Sequence, residues 1–272
     1  VSAVPARELA PDGPASRPGA PPHLLVVEGL RRQFGGVRAV DAATFSVAEG
    51  SITGLIGPNG AGKSTTVSMV AGSLRPTAGR IVFGGVETTG LPAYRVARLG
   101  VVRTFQIAGV FEQLTALENL LIGAPNLRGE RLWDALVGKW YWKRSDREAV
   151  ARARELLVRF GLEEKENDRA GTLSGGQRRL VEIMRALMAH PRMLLLDEPT
   201  AGVAPSLVHL LQDMLEELRD EGITMLLVEH ALGVVERLCD TVIVMAQGRT
   251  LATGTMRELR QRQDVLDAYL IG

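Results

Sequence analysis

Short unbroken apolar runs recur along this chain, and nearly every one ends in a turn residue or a charge. From about Leu24 the pattern reads strand, turn, strand: "LLVVEGL", "ATFSVAEG" and "SITGLIG" are aliphatic or β-branched runs separated by turn residues. Lys63 to Ala71 then takes helical character, ended near Gly72, and "GRIVFGG" returns to strand. "PAYRVARLG" predicts a short helix opened by proline and closed by glycine, and "VVRTFQ" a further strand. From Thr115 to about Ala189 the period becomes helical. Three helix starts carry capping-box spacing: Thr115 with Glu118, Ser145 with Glu148, and Thr255 with Glu258. After Pro191 strands and helices alternate. "MLLLDEP", "ITMLLVEH" and "TVIVMAQG" have no polar alternation, as expected of parallel strands covered on both faces. "VMAQGRTLATG" reads as a hairpin. The order predicts a strand-rich start, an α/β core interrupted by a helical insert, and an α/β return.

The composition adds bounds. The chain has 272 residues, 46% hydrophobic and 23% charged, with a formal net charge of +1. That is ample for a sizeable core and gives no global basic field for nucleic acid or an acidic membrane surface. A single cysteine, Cys239, excludes an intramolecular disulfide and a cysteine cluster for zinc. It reads as a small buried hydrophobe rather than a reactive thiol. The longest apolar runs are strand-sized, too short to span a bilayer as a helix. Residues 1–22 hold six of the thirteen prolines and read as a disordered Pro/Ala-rich tail.

Two glycine loops carry the chemistry. "GPNGAGKST" runs from Gly57 through Pro58, Asn59, Gly60, Ala61, Gly62, Lys63 and Ser64 to Thr65, between a strand pattern and a helix pattern. In that setting the backbone N–H groups wrap phosphates, Lys63 supplies charge to the β- and γ-phosphates, and the Ser64 hydroxyl suits Mg²⁺. "MLLLDEP" supplies a partner strand. Asp197 emerges at its C-terminal end, where open α/β sheets place ligands, and is read as a Mg²⁺ contact through water. Glu198, next in line, is placed to orient or deprotonate an attacking water. The second loop, "GTLSGGQ", precedes a long helix pattern. Ser174 is a good N-cap, and two glycines at a cap expose bare N–H groups to a phosphate. It lies roughly 110 residues beyond the first loop, across a helical insert, so it need not face its own nucleotide.

This combination resembles the ATP-binding-cassette (ABC) family over residues 24–272, with "LSGGQ" as that family's signature. The resemblance implies an α/β fold of the P-loop NTPase class: a RecA-like core, an antiparallel β subdomain and a helical subdomain at approximately 107–190, all within a domain of residues 23–272. It implies ATP and Mg²⁺ as ligands, ATPase activity, and a head-to-tail dimer in which Leu173, Ser174, Gly175, Gly176 and Gln177 complete the partner's site. Gln106 in "TFQ" matches the glutamine loop, which contacts Mg²⁺ and the attacking water. His230 in "VEHAL" matches the histidine that contacts the γ-phosphate. Phe34 in "RRQFGG" matches the aromatic that stacks on adenine. His23, His190 and His209 lack such a setting. Ala204, in "TAGVAPSLV", stands where the family usually has an acidic residue in the D-loop, a segment that spans the dimer interface.

The finer resemblance is to ATP-binding subunits of branched-chain amino-acid uptake systems. It is carried by "VVRTFQIAGVFEQLTALENLLIG", by the insert after it, by "LSGGQRRLVEIMRALMAHPRMLLLDEPTAGVAP" and by the ending "DVLDAYLIG". It implies membrane permease subunits and a second, different cassette as partners, no nucleic acid, and a peripheral location on the cytoplasmic face of the membrane. Urea or amide uptake ATPases and lipopolysaccharide-export ATPases remain alternatives, as does the class of soluble cassettes of DNA repair or translation. That class usually carries tandem cassettes, coiled coils or zinc cysteines. The three tryptophans, Trp133, Trp140 and Trp142, cluster in the insert, where Leu132, Trp133, Leu136, Val137, Trp140 and Tyr141 form a helical stripe that reads as internal packing.

Residues 1–22 contain too few large apolar groups to offset the entropy of ordering them. A chain beginning at His23 should therefore melt within about 4 °C of the full chain. A larger fall in the midpoint would show that the tail docks on the folded part.

Overall fold

A computed structural model describes residues 22–104, 109–125 and 139–270. Its elements, in chain order, are β1 (His23–Phe34), β2 (Val37–Ala48), β3 (Ile52–Ile56), α1 (Lys63–Val70), β4 (Ala78–Phe83), β5 (Val86–Glu87), α2 (Ala93–Arg98), β6 (Val101–Arg103), α3 (Ala116–Ile122), α4 (Lys139–Arg159), α5 (Gly175–Leu187), β7 (Met193–Asp197), α6 (Pro205–Asp220), β8 (Thr224–Val228), α7 (Leu232–Leu238), β9 (Thr241–Ala246), β10 (Arg249–Gly254), α8 (Met256–Leu259) and α9 (Gln263–Leu270). They form two compact units. The described residues up to Val101, Arg192–Glu198 and those from Leu215 onward make the first. Val102–Pro191 with Pro199–Met214 make the second.

The strands form two sheets, of order β2-β1-β4-β5 and β10-β9-β3-β8-β7-β6. The first is antiparallel, and β1 crosses β2 with four register irregularities that twist the long hairpin. In the second, β3 pairs in parallel with β8 and β9, and β7 with β8, while β10 returns antiparallel on β9. Every residue of β3, β7 and β8 is buried, Thr53, Asp197 and Thr224 included, as expected of parallel strands covered on both faces. Alternation survives inside that burial. Leu55, Ile243 and Met245 pack into one core with the antiparallel sheet and α1, whereas Ile56, Val242 and Val244 pack on the opposite face with Val235, Met256 and Leu259.

In the second unit, α3 packs on both α4 and α5. Thr115 with Glu118 forms a complete capping box at α3, and Thr255 with Glu258 another at α8. Ser145 does not start a helix. It lies inside α4, which begins at Lys139. No glycine or proline interrupts Lys139–Arg159, so propagation of the helix overrides the local capping pattern. A box absent from the sequence expectation forms at α5 instead. The Ser174 hydroxyl accepts from the Gln177 N–H and the Gln177 side chain accepts from the Ser174 N–H. Glutamine closes this box as glutamate closes the others.

Cys239 packs against Gly54, where an added methyl would lie 3.0 Å from its sulfur. Burial, followed by Asp240 and Glu229, pushes its thiol up to about 12, so it behaves as an inert packing group. Trp140 and Trp142 fall on α4, and Trp133 lies outside the described residues.

Candidate functional site

The first unit gathers one set of groups at the C-terminal edge of its parallel strands. Leu55 of β3 pairs with Val228 of β8, and Val228 pairs with Asp197 of β7. The three strands therefore end level, and each delivers chemical groups to that edge. The glycine loop leaves β3, Asp197 and Glu198 stand at the end of β7, and Glu229 with His230 come directly after β8. Glu198 donates its N–H to the Val228 carbonyl at 2.9 Å and has a left-handed backbone, φ 48°. A non-glycine residue held there stores strain that the surrounding pairing must sustain. The turn aims the Glu198 carboxylate at His230, whose Nε2 lies 3.1 Å from Oε1.

The loop itself is shaped by close backbone approach. A methyl at Gly57 would fall 2.1 Å from the Met245 carbonyl, and one at Gly62 would fall 2.5 Å from the Ala39 carbonyl. Glycine at these two places lets the loop curl tightly enough to turn its N–H groups inward. Asn59 and Gly60 are exposed at its crest, Pro58, Ser64 and Thr65 are half-buried, and Ala61 is buried beneath. Lys63 opens α1 and is buried, its Nζ donating to the carbonyls of Gly57 and Pro58 at 2.7 and 3.0 Å. Burial lowers the pKa of this ammonium, while Glu198 and Asp197 counter by favouring its charge. The cation is thus poised among carboxylates, in the setting where a further anion strengthens its charged form. Phe34 stands at the end of β1, 46% exposed, with the Arg32 guanidinium 4.6 Å from its ring centre. A half-exposed aromatic of this kind offers a stacking surface.

Asp197 is fully buried at the strand end, and Ser64 lies on the first turn of α1. A carboxylate and a hydroxyl are hard oxygen donors, the type that suits Mg²⁺. Among the described residues no group of three or more His, Cys, Asp or Glu forms a metal cage. A Mg²⁺ held by one carboxylate and one hydroxyl would take its other ligands from phosphate and water.

Glu229 was not singled out by the sequence. It is buried, and its Oε2 accepts the N–H groups of His230 and Ala231 at 2.9 and 3.3 Å. It thereby fixes the turn that presents His230. The available signal was an acid directly after four apolar strand residues, Met225 to Val228. His23, His190 and His209 are exposed.

The second unit carries the second loop. Leu173 is buried and anchors it, Ser174 and Gly175 are exposed, and α5 starts at Gly175. The two glycines differ. A methyl at Gly175 would meet only the Gly202 carbonyl at 3.7 Å, whereas one at Gly176 would fall 2.4 Å from Leu207 Cδ1. Gly175 leaves the helix end open to a ligand, and Gly176 lets α6 approach. Ala204 is exposed at the start of α6, its carbonyl accepting from Leu207 and Val208 at 2.9 and 3.0 Å. It occupies the N-cap position with no side-chain acceptor, before Pro205 at the first helical position. Gln106 lies outside the described residues.

Comparison with known proteins bears on this arrangement. The ABC transporter family model matches residues 40–201. The high-affinity branched-chain amino acid transport ATP-binding protein BraF of Pseudomonas aeruginosa is 41% identical over 248 residues, covering 91% of this chain and 97% of that protein. The crystal structure of a nucleotide-free ATP-binding cassette from an ABC transporter superposes with a TM-score of 0.80 at 37% identity, covering 91% of this chain and 98% of the other. A bacterial ABC transporter cassette solved as a dimer superposes with a TM-score of 0.72 at 26% identity, covering 86% and 99%.

Proposed function

The chain belongs to the ABC transporter family, and on that premise we propose that it is the ATP-binding subunit of an importer for branched-chain or related amino acids. It is an ATPase, and the energy of hydrolysis is delivered to permease subunits in the membrane. The observation that carries the reading is the identity to BraF, which runs nearly end to end in both chains. Among the described residues no helix is long and apolar enough to cross a membrane. The proposed location is peripheral, on the cytoplasmic face, held by those permeases. Residues 23–272 are proposed as the nucleotide-binding domain, with a helical subdomain at approximately 107–190.

In the proposed reaction, the N–H groups of Gly57 to Thr65 and the Lys63 ammonium hold the triphosphate, and Phe34 stacks on the adenine. Ser64 and Asp197, with Gln106, would hold Mg²⁺, which would supply positive charge against the phosphates. Glu198 orients and deprotonates the attacking water, and His230, with its Nε2 3.1 Å from the Glu198 carboxylate, contacts the γ-phosphate. Leu173 to Gln177 serve the nucleotide of a second cassette. The exposed hydroxyl of Ser174 and the open helix end at Gly175 support that role, because they face away from packing.

Two substitutions separate binding from chemistry. Lys63→Ala removes charge that attracts phosphate in both ground and transition states, so ATP affinity and rate should both fall. Glu198→Gln should retain ATP binding and lose roughly 10²–10⁴ in rate. Equal loss of affinity in the two variants would contradict this division of roles.

The physiological partner is proposed to be a different cassette. Ala204 offers no side-chain hydrogen bond across an interface, a loss that a symmetric pair would suffer twice. Purification from membranes should recover this chain with permease subunits and one other cassette, and the assembly's ATPase should rise with a branched-chain amino acid. Recovery as a tight ATP-dependent homodimer without permeases would count against both the partner and the transport reading.

A further inference from the structure

Helix α5 begins with the second loop and, one turn on, carries a buried ion pair that the proposed chemistry does not use. Arg179 Nη1 donates to Glu182 Oε2 at 2.6 Å, the two side chains 9% and 1% exposed. An interior pair of charges is rarely kept for stability, since apolar residues of similar volume usually do as well. What distinguishes this pair is the direction of its other bonds. Arg179 Nε donates to the Pro199 carbonyl at 3.3 Å. Glu182 Oε1 accepts from the Gly109 N–H. One turn further along the same helix, Arg185 Nη1 donates to the Gly109 carbonyl at 2.7 Å and its guanidinium lies 5.6 Å from the Phe111 ring centre. Both backbone groups of Gly109 are thus gripped by one helix.

The backbone points that are gripped lie next to functional positions. Gly109 is three residues after Gln106, and Pro199 directly follows Glu198. The stretch of chain beyond Gly109 is fixed in turn: Asn119, fully buried, accepts from the Phe111 N–H at 2.8 Å and donates to the Phe111 carbonyl at 3.1 Å. A shift of residues 109–111 therefore meets Glu182 first, then Arg179, then the Pro199 carbonyl and the helix that presents Ser174.

We infer that Arg179 and Glu182 are positioning residues for hydrolysis, holding the chain that leaves Gln106 and the chain that leaves Glu198 to the helix that carries the second loop. The inference rests on the ATPase reading above. Directional bonds to backbone do what packed apolar side chains cannot: they fix two separate segments in register with α5.

The test replaces both charges with apolar groups of similar size, Arg179→Leu together with Glu182→Met, in the full chain. Melting temperature, affinity for a fluorescent ATP analogue and kcat at saturating Mg-ATP are measured. The expected result is a melting temperature near that of the parent, unchanged affinity, and a kcat lower by roughly 10- to 100-fold, the scale of a small misplacement of reacting groups. A folded double variant with the parent kcat would overturn the inference, because a merely structural pair would leave no such split. If the double variant does not fold, Glu182→Asp decides. It keeps the charge but withdraws the carboxylate from Gly109, and it should lower kcat with affinity and melting retained; parent-like kcat there overturns the inference equally. Absence of hydrolysis by the parent chain itself in the same assay would instead sink the ATPase reading, and this inference with it.

Discussion

The parallel pairing of β3, β8 and β7 is the constraint on which the candidate site depends. Val228 is matched to Leu55 on one side and to Asp197 on the other. Because side chains alternate along a strand, a slip of one residue would turn Asp197 to the other face of the sheet and carry Glu198 away from His230. The register is held by burial. Leu194 to Leu196 and Met225 to Val228 are fully covered, each such side chain contributing roughly 1.5–3 kcal/mol relative to exposure. The strained backbone of Glu198 is sustained by the same pairing, through its N–H bond to the Val228 carbonyl. A buried Lys63 beside two carboxylates results from the same convergence of strand ends.

Much of this was legible in the sequence because short-range pattern and long-range placement agree there. Unbroken apolar runs identify doubly covered strands, and a glycine loop between strand and helix identifies the tight turn that leaves β3. An acid directly after a buried strand lies at the edge where such sheets place ligands. Of the features that could not be read, the Arg179–Glu182 pair and the close approach at Gly176 depend on tertiary contacts, whereas Ser145 and Glu229 depend on local backbone geometry. Arg179 and Glu182, spaced i,i+3, look like a solvated surface pair until tertiary packing covers them. Gly176 was read for its N–H group, yet its missing side chain also makes room for Leu207. Ser145 with Glu148 has the spacing of a helix start, but the helix had already begun at Lys139. Glu229 is visible only as the residue before a histidine, and its bonds to the His230 and Ala231 N–H groups give it a reason.

The second unit presents its loop at the start of a helix that is also a connector. Ser174 caps α5, Gly176 admits α6, and Arg179, Glu182 and Arg185 tie the helix to Pro199 and Gly109. In the proposed reading the loop serves a partner's nucleotide, and these bonds make its position depend on segments that adjoin the chain's own reacting groups. Ala204, at the N-cap position of α6, accepts through its carbonyl from Leu207 and Val208 and has no side-chain acceptor to add.

Strand register is proposed to make Glu198 and His230 a single working unit. A double-mutant cycle on single-turnover ATP hydrolysis tests it, comparing His230→Ala in the parent and in a Glu198→Gln background. The expected result is a loss of roughly tenfold or more in the parent and almost none once Glu198 is gone, a coupling of groups that act together. Losses that simply multiply would contradict it, showing that the two residues contribute independently despite their 3.1 Å contact.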